Sequence, residues 1–165
     1  MASVIARPRP CSVARTLEIV GEKWALLAVR EVFLGNRRFD EMIRRTGAPR
    51  DTLAARLRAL VGAGVLERRQ YAEHPARFEY RLTDAGRDLY PVILTLMRWG
   101  DEHLADEAGP PMILTHHGDH RLVAQVTCRE CGELVDPRDA RPLAGPESDP
   151  AGLADRAGLA DGAAT

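Results

Sequence analysis

Apolar residues recur at every third or fourth position through the first half of the chain, the spacing that puts them on one face of an α-helix. This pattern predicts helices at positions 12–20, 22–34, 39–45 and 49–63, and a glycine lies at or just beyond the end of each. A fifth, longer helix is predicted to run from the threonine at position 83, a suitable N-cap, to about residue 106. Most of this part of the chain is therefore expected to be helical.

Two short runs between the fourth and fifth helices, residues 65–71 and 78–82, have the length and composition of paired β-strands. The loop between them contains Pro75, which suits a hairpin tip because proline cannot donate a hydrogen bond to a partner strand. Helix, turn, helix and β-hairpin follow one another in the order of a winged helix-turn-helix. The predicted fold class is therefore mainly α with a small β-hairpin wing, in which the second helix of the motif can enter a DNA major groove.

The chain divides into four predicted regions. Residues 1–10 are expected to form a flexible arm, and residues 11–108 a winged-helix domain for DNA binding. Gly109-Pro110-Pro111 then breaks the chain. Residues 112–141 form a Cys- and His-containing hairpin appendage with a strand predicted at 122–127, and residues 142–165, rich in Ala, Gly, Asp and Pro, are expected to be a disordered tail.

Charge is distributed unevenly, although the net charge of the whole chain is only −1. Residues 36–81 carry 11 arginines and six acidic residues, a net charge of +5, whereas residues 111–165 have a net charge of −4. The phosphate backbone of DNA attracts a basic segment, and this one coincides with the predicted helix-turn-helix. Double-stranded DNA is therefore the predicted partner. The simpler interpretation is a solvated helix face in an arginine-rich chain.

The fourth helix is the predicted recognition helix, because its outer residues lie opposite the apolar face formed by leucines. Arginine pairs with guanine, and threonine or alanine contacts the thymine methyl group. Asp51 is ambiguous, since its charge also favours a helix N-terminus. Strand alternation places only one of Arg68 and Arg69 toward DNA. The predicted DNA-binding residues are Arg50, Asp51, Thr52, Ala55 and Arg56 on the helix, with Arg38, Arg69, His74 and Arg77 on or near the wing.

Five short motifs occur in a specific order and spacing along residues 11 to about 105. They are Cys11 before the first helix, Gly21-x-x-Trp24, Gly35-x-x-Arg38-Phe39, Leu53-x-x-Arg56-Leu57 and Glu79-Tyr80-x-Leu82-Thr83. With these motifs the chain resembles the HxlR-type transcriptional regulators, winged-helix relatives of the MarR group. The resemblance implies homodimers that are joined mainly through the first and last helices and bind pseudo-palindromic operators, with half-sites about 34 Å apart. It therefore assigns dimerisation, as well as DNA binding, to the domain at residues 11–108.

Cys11 occupies a position at which several such regulators carry a redox or electrophile sensor. A helix N-terminus and the nearby Arg7, Arg9 and Arg15 would lower the pKa of its thiol and favour reaction with an oxidant. The alternative is a small buried residue at a dimer contact. Cys11 is therefore a candidate sensor for an oxidant effector.

The Cys128-x-x-Cys131-Gly sequence between two strand-like runs has the form of a zinc knuckle, which supplies two thiolate ligands. A structural zinc ion needs four ligands, and His120 with His116 or His117 is close enough in sequence to provide the other two. A redox dithiol and an unmetallated hairpin remain alternatives. Structural zinc in the C-terminal hairpin is the only cofactor that the sequence suggests.

Together these features predict a sequence-specific transcriptional regulator, most simply a homodimeric repressor in the cytoplasm. The sequence has no apolar run of membrane-spanning length, no secretory signal and no catalytic constellation, so a membrane protein and an enzyme are not expected. The alternative is a winged helix that binds proteins without specific DNA recognition. A small-molecule effector is also conceivable at the dimer interface, beside Trp24, Met42, Leu96 and Trp99, although such apolar stripes are more often core.

Overall fold

The computed structural model describes residues 10–143 and 145–146, and in these residues the chain forms six helices and two β-hairpins. The predicted arm at 1–10 and the predicted tail at 142–165 lie almost wholly outside the described residues. The first part of the chain is helical, with helices α1 (Ser12–Val20), α2 (Lys23–Phe33), α3 (Phe39–Thr46) and α4 (Arg50–Gly62). Then come strands β1 (Leu66–Ala72) and β2 (Arg77–Leu82), helices α5 (Asp84–Arg87) and α6 (Tyr90–His103), and strands β3 (Thr115–His116) and β4 (His120–Arg121).

Two compact units are present. Residues 15–124 form the larger, and the described residues of 10–14 and 125–146 belong to the smaller. In the larger unit β1 and β2 pair antiparallel and form the wing. The predicted winged-helix fold is thereby confirmed. The boundaries proposed for the four regions of the chain remain predictions.

The core of the larger unit lies where α2 meets α3, α4 and α6. Apolar residues at helical spacing supply it, and burial of each valine, leucine, isoleucine or methionine side chain contributes about 1.5–3 kcal/mol. This shared core fixes the recognition helix rigidly against the rest of the motif. Its buried side chains include Ala28, Val29, Met42, Leu53, Leu57, Leu60, Leu66 and Ile93.

The turn between α3 and α4 is set by Gly47, which has φ of +70° and whose N–H donates to the carbonyl of Ile43. Glycine adopts this left-handed conformation without a steric penalty, so it ends α3 cleanly. Pro49 was predicted to lie inside the first turn of α4, and it lies one residue earlier, at the N-cap, with ψ of 137°. Its carbonyl accepts the first helical hydrogen bond, from Leu53 N–H at 2.9 Å.

The prediction of one long helix from Thr83 to residue 106 was wrong. Thr83 does act as the N-cap, with its Oγ1 accepting from Gly86 N–H at 3.1 Å, but α5 ends at Arg87 and α6 starts only at Tyr90. Pro91 lies in the first turn of α6 and has no N–H to continue a helix from α5. Proline therefore interrupts the helical hydrogen bonds between the two helices.

Gly86 packs so tightly that a Cβ atom there would come within 2.1 Å of the Val65 carbonyl oxygen, at the junction of α5 and the wing. We expect Gly86→Ala to destabilise the fold by about 1–3 kcal/mol, because the backbone must move to relieve the overlap. Gly100→Ala in α6 is the matched control, since nothing lies within 4 Å of its added Cβ. Urea denaturation of both variants checks this, and equal stabilities would contradict it.

The strand predicted at 122–127 is not present as a continuous strand. The β3–β4 hairpin turns through residues His117 and Gly118, both with positive φ, and its pairing ends at Arg121. Beyond it only Thr127 forms a bridge, to Leu134. Period-2 patterning fails here because residues 122–127 have no continuous partner strand in the described structure: Leu122 N–H donates to the Leu114 carbonyl at 2.7 Å, and the next pairing is the bridge at Thr127.

The β3–β4 hairpin packs on α6 in the larger unit. Arg98 of α6 donates to the Ala124 carbonyl oxygen at 2.9 Å, and Arg121 lies 3.7 Å from the carboxylate of Asp101. These polar contacts fix the start of the appendage to the outer surface of α6.

Candidate DNA-binding surface

Helix α4 presents two different faces. Leu53, Leu57 and Leu60 are fully buried, whereas Asp51 and Ala55 are exposed on the opposite side. Thr52 is half-buried, between the two faces. The exposed N-terminal part of α4 is therefore available to a DNA major groove, as in other helix-turn-helix proteins.

Arg50, the first residue of α4, is exposed and held by two contacts from α3. Its guanidinium forms an ion pair with Asp40 at 3.0 Å and lies 5.0 Å from the centre of the Phe39 ring. An exposed ion pair is worth less than about 1 kcal/mol, so a phosphate or a guanine can replace Asp40 at small cost. Arg50 is thus positioned in advance and remains free to exchange partners.

Arg56 is placed differently from the other arginine predicted to read bases. It is half-buried, and its terminal nitrogen lies 3.4 Å from Glu22, the N-cap residue of α2. Its Nε atom is buried without a hydrogen-bond partner among the described residues. Arg56 is therefore held beside α2 by Glu22, as Arg50 is held beside α3 by Asp40.

On the wing, Arg68 and Arg69 take opposite faces as strand alternation predicts. The guanidinium of Arg68 lies over the Phe78 ring at 3.5 Å from its centre, and Arg69 lies opposite Glu79 in the neighbouring strand. Both side chains belong to exposed residues. Stacking on Phe78 restrains Arg68, a residue that the predicted set of DNA contacts left out.

Glu79, in β2, is one of the acidic residues of the wing. A hydrogen bond from Arg81 Nε, 2.6 Å from the Glu79 carboxylate, holds the pKa of that carboxyl below its usual range, and the charges of Arg37 and Arg69 act in the same direction. Glu79 therefore stays ionised at neutral pH and offsets part of the positive charge of the wing. The wing itself is anchored by Tyr80 N–H, which donates to the Arg37 carbonyl at 2.8 Å.

A cleft of about 530 Å³ separates α3 from the wing. Arg38 stacks on the Tyr71 ring at 4.7 Å from its centre, and Arg77 lines the opposite wall. His74 lies at the exposed tip of the wing, before Pro75. Basic and aromatic groups thus continue from α4 across α3 to the wing, which is the composition that favours a nucleic-acid backbone.

The acidic partners of Arg50 and Arg56, which are Asp40 and Glu22, were not identified from the sequence. Each lies far along the chain from its arginine, and no periodicity connects such residues. Arg68 was excluded because alternation allows only one of two neighbouring arginines to face DNA. The aromatic residue at position 78 was the signal that Arg68 is also held in place.

The residues considered for an effector cleft do not share one environment. Met42 is fully buried in the core and Trp24 is half-buried beside it, whereas Leu96 and Trp99 are exposed on α6. Cys11 is half-buried and directly precedes α1. An effector cleft and a sensing role for Cys11 both remain predictions.

The candidate zinc ligands belong to two turns, one in each compact unit. His116, His117 and His120 cluster at the β3–β4 turn, with ring centres 3.9 Å apart for the first two and 5.8 Å apart for His116 and His120. Cys128 and Cys131 share a separate turn, and neither forms a disulfide bond. In the described part of the chain no three His, Cys, Asp or Glu side chains are arranged to hold a metal ion.

This arrangement of helix-turn-helix, basic outer surface and β-hairpin defines the winged-helix class of DNA-binding proteins. Residues 19–108 match the family model for the HxlR-like helix-turn-helix, and the chain belongs to that family of transcriptional regulators. The predicted resemblance is confirmed. No helix in the part of the chain that the structure describes has both the length and the apolar character needed to span a membrane.

Relatives are similar well beyond the helix-turn-helix. An uncharacterized HTH-type transcriptional regulator of Mycobacterium tuberculosis strain H37Rv, Rv3095, is 50% identical over 137 residues, which cover 82% of this chain and 86% of the relative. An uncharacterized HTH-type transcriptional regulator of Synechocystis is 34% identical over 109 residues, 66% of this chain and 81% of its own length. These relatives are named as regulators of transcription.

Two solved structures are similar in fold. The crystal structure of the candidate transcription factor PA1607 has a TM-score of 0.72 at 34% identity and covers 82% of this chain and 95% of its own. The oxidized form of the redox regulator HypR has a TM-score of 0.51 at 31% identity and covers 58% of this chain and all of its own. The match to PA1607 covers more of the chain than the winged helix alone. The match to HypR covers a share about as long as the winged helix.

Proposed function

We propose that the chain is a homodimeric, sequence-specific repressor that occupies promoter DNA and so competes with RNA polymerase. The observation that carries the proposal is the outer face of α4, with Arg50 exposed at its N-terminus beside Asp51 and Ala55. In this proposal α4 enters the major groove, where Arg50 pairs with a guanine, and Ala55 contacts a thymine methyl group. Thr52 and Arg56 provide further contacts deeper along the same helix.

Phosphate contacts come from the arginines around the cleft between α3 and the wing. Arg38 and Arg77 line this cleft, and Arg69 and His74 lie along the wing beyond it. Such contacts fix the register of the protein on DNA but carry no sequence information. In this proposal α4 therefore contacts the bases, and α3 and the wing bind the phosphates.

Dimerisation is supported by unpartnered apolar side chains on the first and last helices. On α6, Leu96 and Trp99 are 50% and 54% exposed, and Val92 continues the same stripe one turn earlier. On α1, Val13 and Leu17, one turn apart, are 66% and 54% exposed. Apolar stripes of this kind mark protein contacts, and a two-fold symmetric interface pairs the same surface of both copies.

The phosphate-binding role gives a testable salt dependence. We expect Arg77→Ala to weaken binding of the protein to all duplexes alike and to reduce the slope of log affinity against log salt by about one. Arg138→Ala is the matched control, because it also removes one arginine but that side chain pairs with Asp136 outside the wing. Fluorescence anisotropy across a salt series measures both slopes. An unchanged slope for Arg77→Ala would remove that residue from the DNA contacts.

Oxidant control through Cys11 is proposed as a finer feature of this function. It is supported by the position of the half-buried thiol directly before α1 and by the similarity of the chain to the redox regulator HypR. A mild oxidant is expected to release the protein from DNA, and a reductant to restore binding. Cys11→Ser should abolish the response, while Cys128→Ser/Cys131→Ser retains it. A response that survives in Cys11→Ser and disappears in the double variant would contradict the assignment.

A further inference from the structure

A cavity of about 340 Å³ lies between α6 and the chain on either side of the β3–β4 hairpin. Leu94 and Met97 of α6 line one side, and residues 112–114 and 122–124 line much of the rest, all within the larger compact unit. The volume falls in the range of about 300–1,000 Å³ that is usual for small-molecule sites. Because the matched winged helix ends at residue 108, part of this cavity is built from chain beyond it. The cavity is thus separate from the DNA-binding surface on α3, α4 and the wing.

Helix α6 presents the cavity and the proposed dimer contact on different faces. Leu94 and Met97, three residues apart, line the cavity. Leu96 and Trp99, in the exposed stripe, each follow one of them by two positions, which is about 200° around a helix. A dimer joined through that stripe therefore leaves the cavity uncovered. The cavity also differs from the effector cleft that the sequence predicted beside Leu96 and Trp99.

The apolar lining of the cavity is aliphatic. None of its lining residues in the described structure is aromatic, and Met97 and Met112 are unbranched side chains that adapt to the shape of a ligand. Ile113 and Val123, one before and one after the hairpin, are 59% and 60% exposed. Covering such side chains removes apolar surface from water, which is favourable. The lining therefore suits a flexible aliphatic molecule.

Four charged side chains line the cavity as two ion pairs. Arg98 Nε lies 3.7 Å from the carboxylate of Glu102, and Arg121 lies 3.7 Å from that of Asp101. Arg98 also donates to the Ala124 carbonyl oxygen. The two positive and two negative charges balance, so a charged ligand would leave water without gaining an unpaired opposite charge. A hydroxyl group, which can both donate and accept, matches these paired groups better.

We propose that this cavity binds a neutral, mainly aliphatic small molecule that carries a hydroxyl group. The aliphatic chain lies against Met97 and residues 112–114 and 122–124, and the hydroxyl lies beside the ion pairs. A molecule in this position contacts both α6 and the β3–β4 appendage, and it therefore fastens the appendage to the helix. The site does not depend on the proposed DNA-binding function.

Titration of isotope-labelled full-length protein with hexanol, heptanol and octanol, followed by NMR, tests the proposal. The amide signals of residues 112–114 and 122–124 should shift, and the dissociation constant should fall about fourfold for each added CH₂ group. Octanoate and octylamine, which have the same chain length but carry a charge, should bind at least about tenfold more weakly than octanol. Absence of shifts with octanol, shifts confined to Leu96 and Trp99, or equal affinity for the charged analogues would overturn the proposal.

A pair of variants places the alcohol in the cavity. Ile113→Asp puts a charge into the lining and should weaken octanol binding at least about tenfold. Val126→Asp is the matched control, because Val126 is 53% exposed but does not line the cavity, and it should bind octanol like the wild-type protein. Circular dichroism checks that both variants are folded. Unchanged binding in Ile113→Asp, or equal loss in both variants, would contradict the assignment.

A dilution series without alcohol tests the other candidate occupant, a second copy of the chain. The signals of residues 112–114 and 122–124 should not change with protein concentration. A change that matches the formation of a dimer would mean that a second chain covers the cavity, and it would overturn the proposal. No readout here involves DNA, so protein that binds octanol but no duplex would refute only the DNA-binding function, and protein that binds DNA but not octanol would refute only the cavity site.

Discussion

Replacing Arg50 with alanine is expected to weaken binding to a specific operator by about 1–3 kcal/mol, or roughly 5- to 150-fold. Arg50 is exposed at the N-terminus of α4, and only Asp40 and the face of Phe39 hold it in place. Loss of the guanidinium removes a bidentate contact to a base, while the core beneath α4 is untouched. Arg56→Ala is expected to have an effect of the same range and direction, since Arg56 likewise exchanges an exposed ion pair, with Glu22, for its contact to a base.

The sequence preference of each variant shows whether binding weakened through a lost base contact or only through a lost positive charge. Arg50→Ala should lose the preference for guanine at one position of each half-site, whereas Arg77→Ala, which also removes one positive charge, should weaken all sequences equally. Competition binding with operators altered at single positions measures this difference. If Arg50→Ala and Arg77→Ala showed the same base preferences as the wild-type protein, Arg50 would contact only phosphate.

Disrupting the apolar stripe on α6 is expected to weaken operator binding more than Arg50→Ala does. Leu96→Glu/Trp99→Glu places two charges on side chains that are half exposed in the single chain and that dimerisation would bury. The protein should become monomeric and lose at least about 100-fold in affinity for an operator with two half-sites, because the second half-site no longer binds within the same complex.

The control for this experiment is Leu143→Glu, since Leu143 is 89% exposed and lies outside the helices. Analytical ultracentrifugation reports the oligomeric state, and circular dichroism shows whether each variant remains folded. A dimer that persists in the α6 variant, with unchanged affinity for the operator, would place the interface elsewhere.

Much of the fold follows from the periodicity of the sequence because α2, α3 and α4 each bury a continuous face of apolar residues. Periodicity could not reveal that Pro91 separates α5 from α6, because the residues on both sides keep a helical spacing. Periodicity also predicted a strand at residues 122–127, where apolar and polar residues alternate but no continuous partner strand is present in the described structure. Whether a segment is helix or strand was predictable where a continuous apolar face is buried. Where a helix is interrupted depended on single residues such as Pro91.

The candidate site was predictable only in part, for a related physical reason. The exposed positions of α4 follow from its buried leucines, so Arg50, Asp51 and Ala55 could be assigned to the outer face from the sequence alone. The ion pairs of Arg50 with Asp40 and of Arg56 with Glu22 arise from tertiary packing. They hold the two arginines in place before any DNA is bound, and only the folded chain shows them.

The most direct test of the whole account is selection of DNA from a pool of random duplexes by the purified full-length protein, with Arg50→Ala/Arg56→Ala as the parallel control. The account predicts enrichment of an inverted repeat with half-sites about one helical turn apart, and no such enrichment by the control. Failure of the folded wild-type protein to retain or enrich any duplex, even at low salt, would contradict it and favour a winged helix that binds another protein.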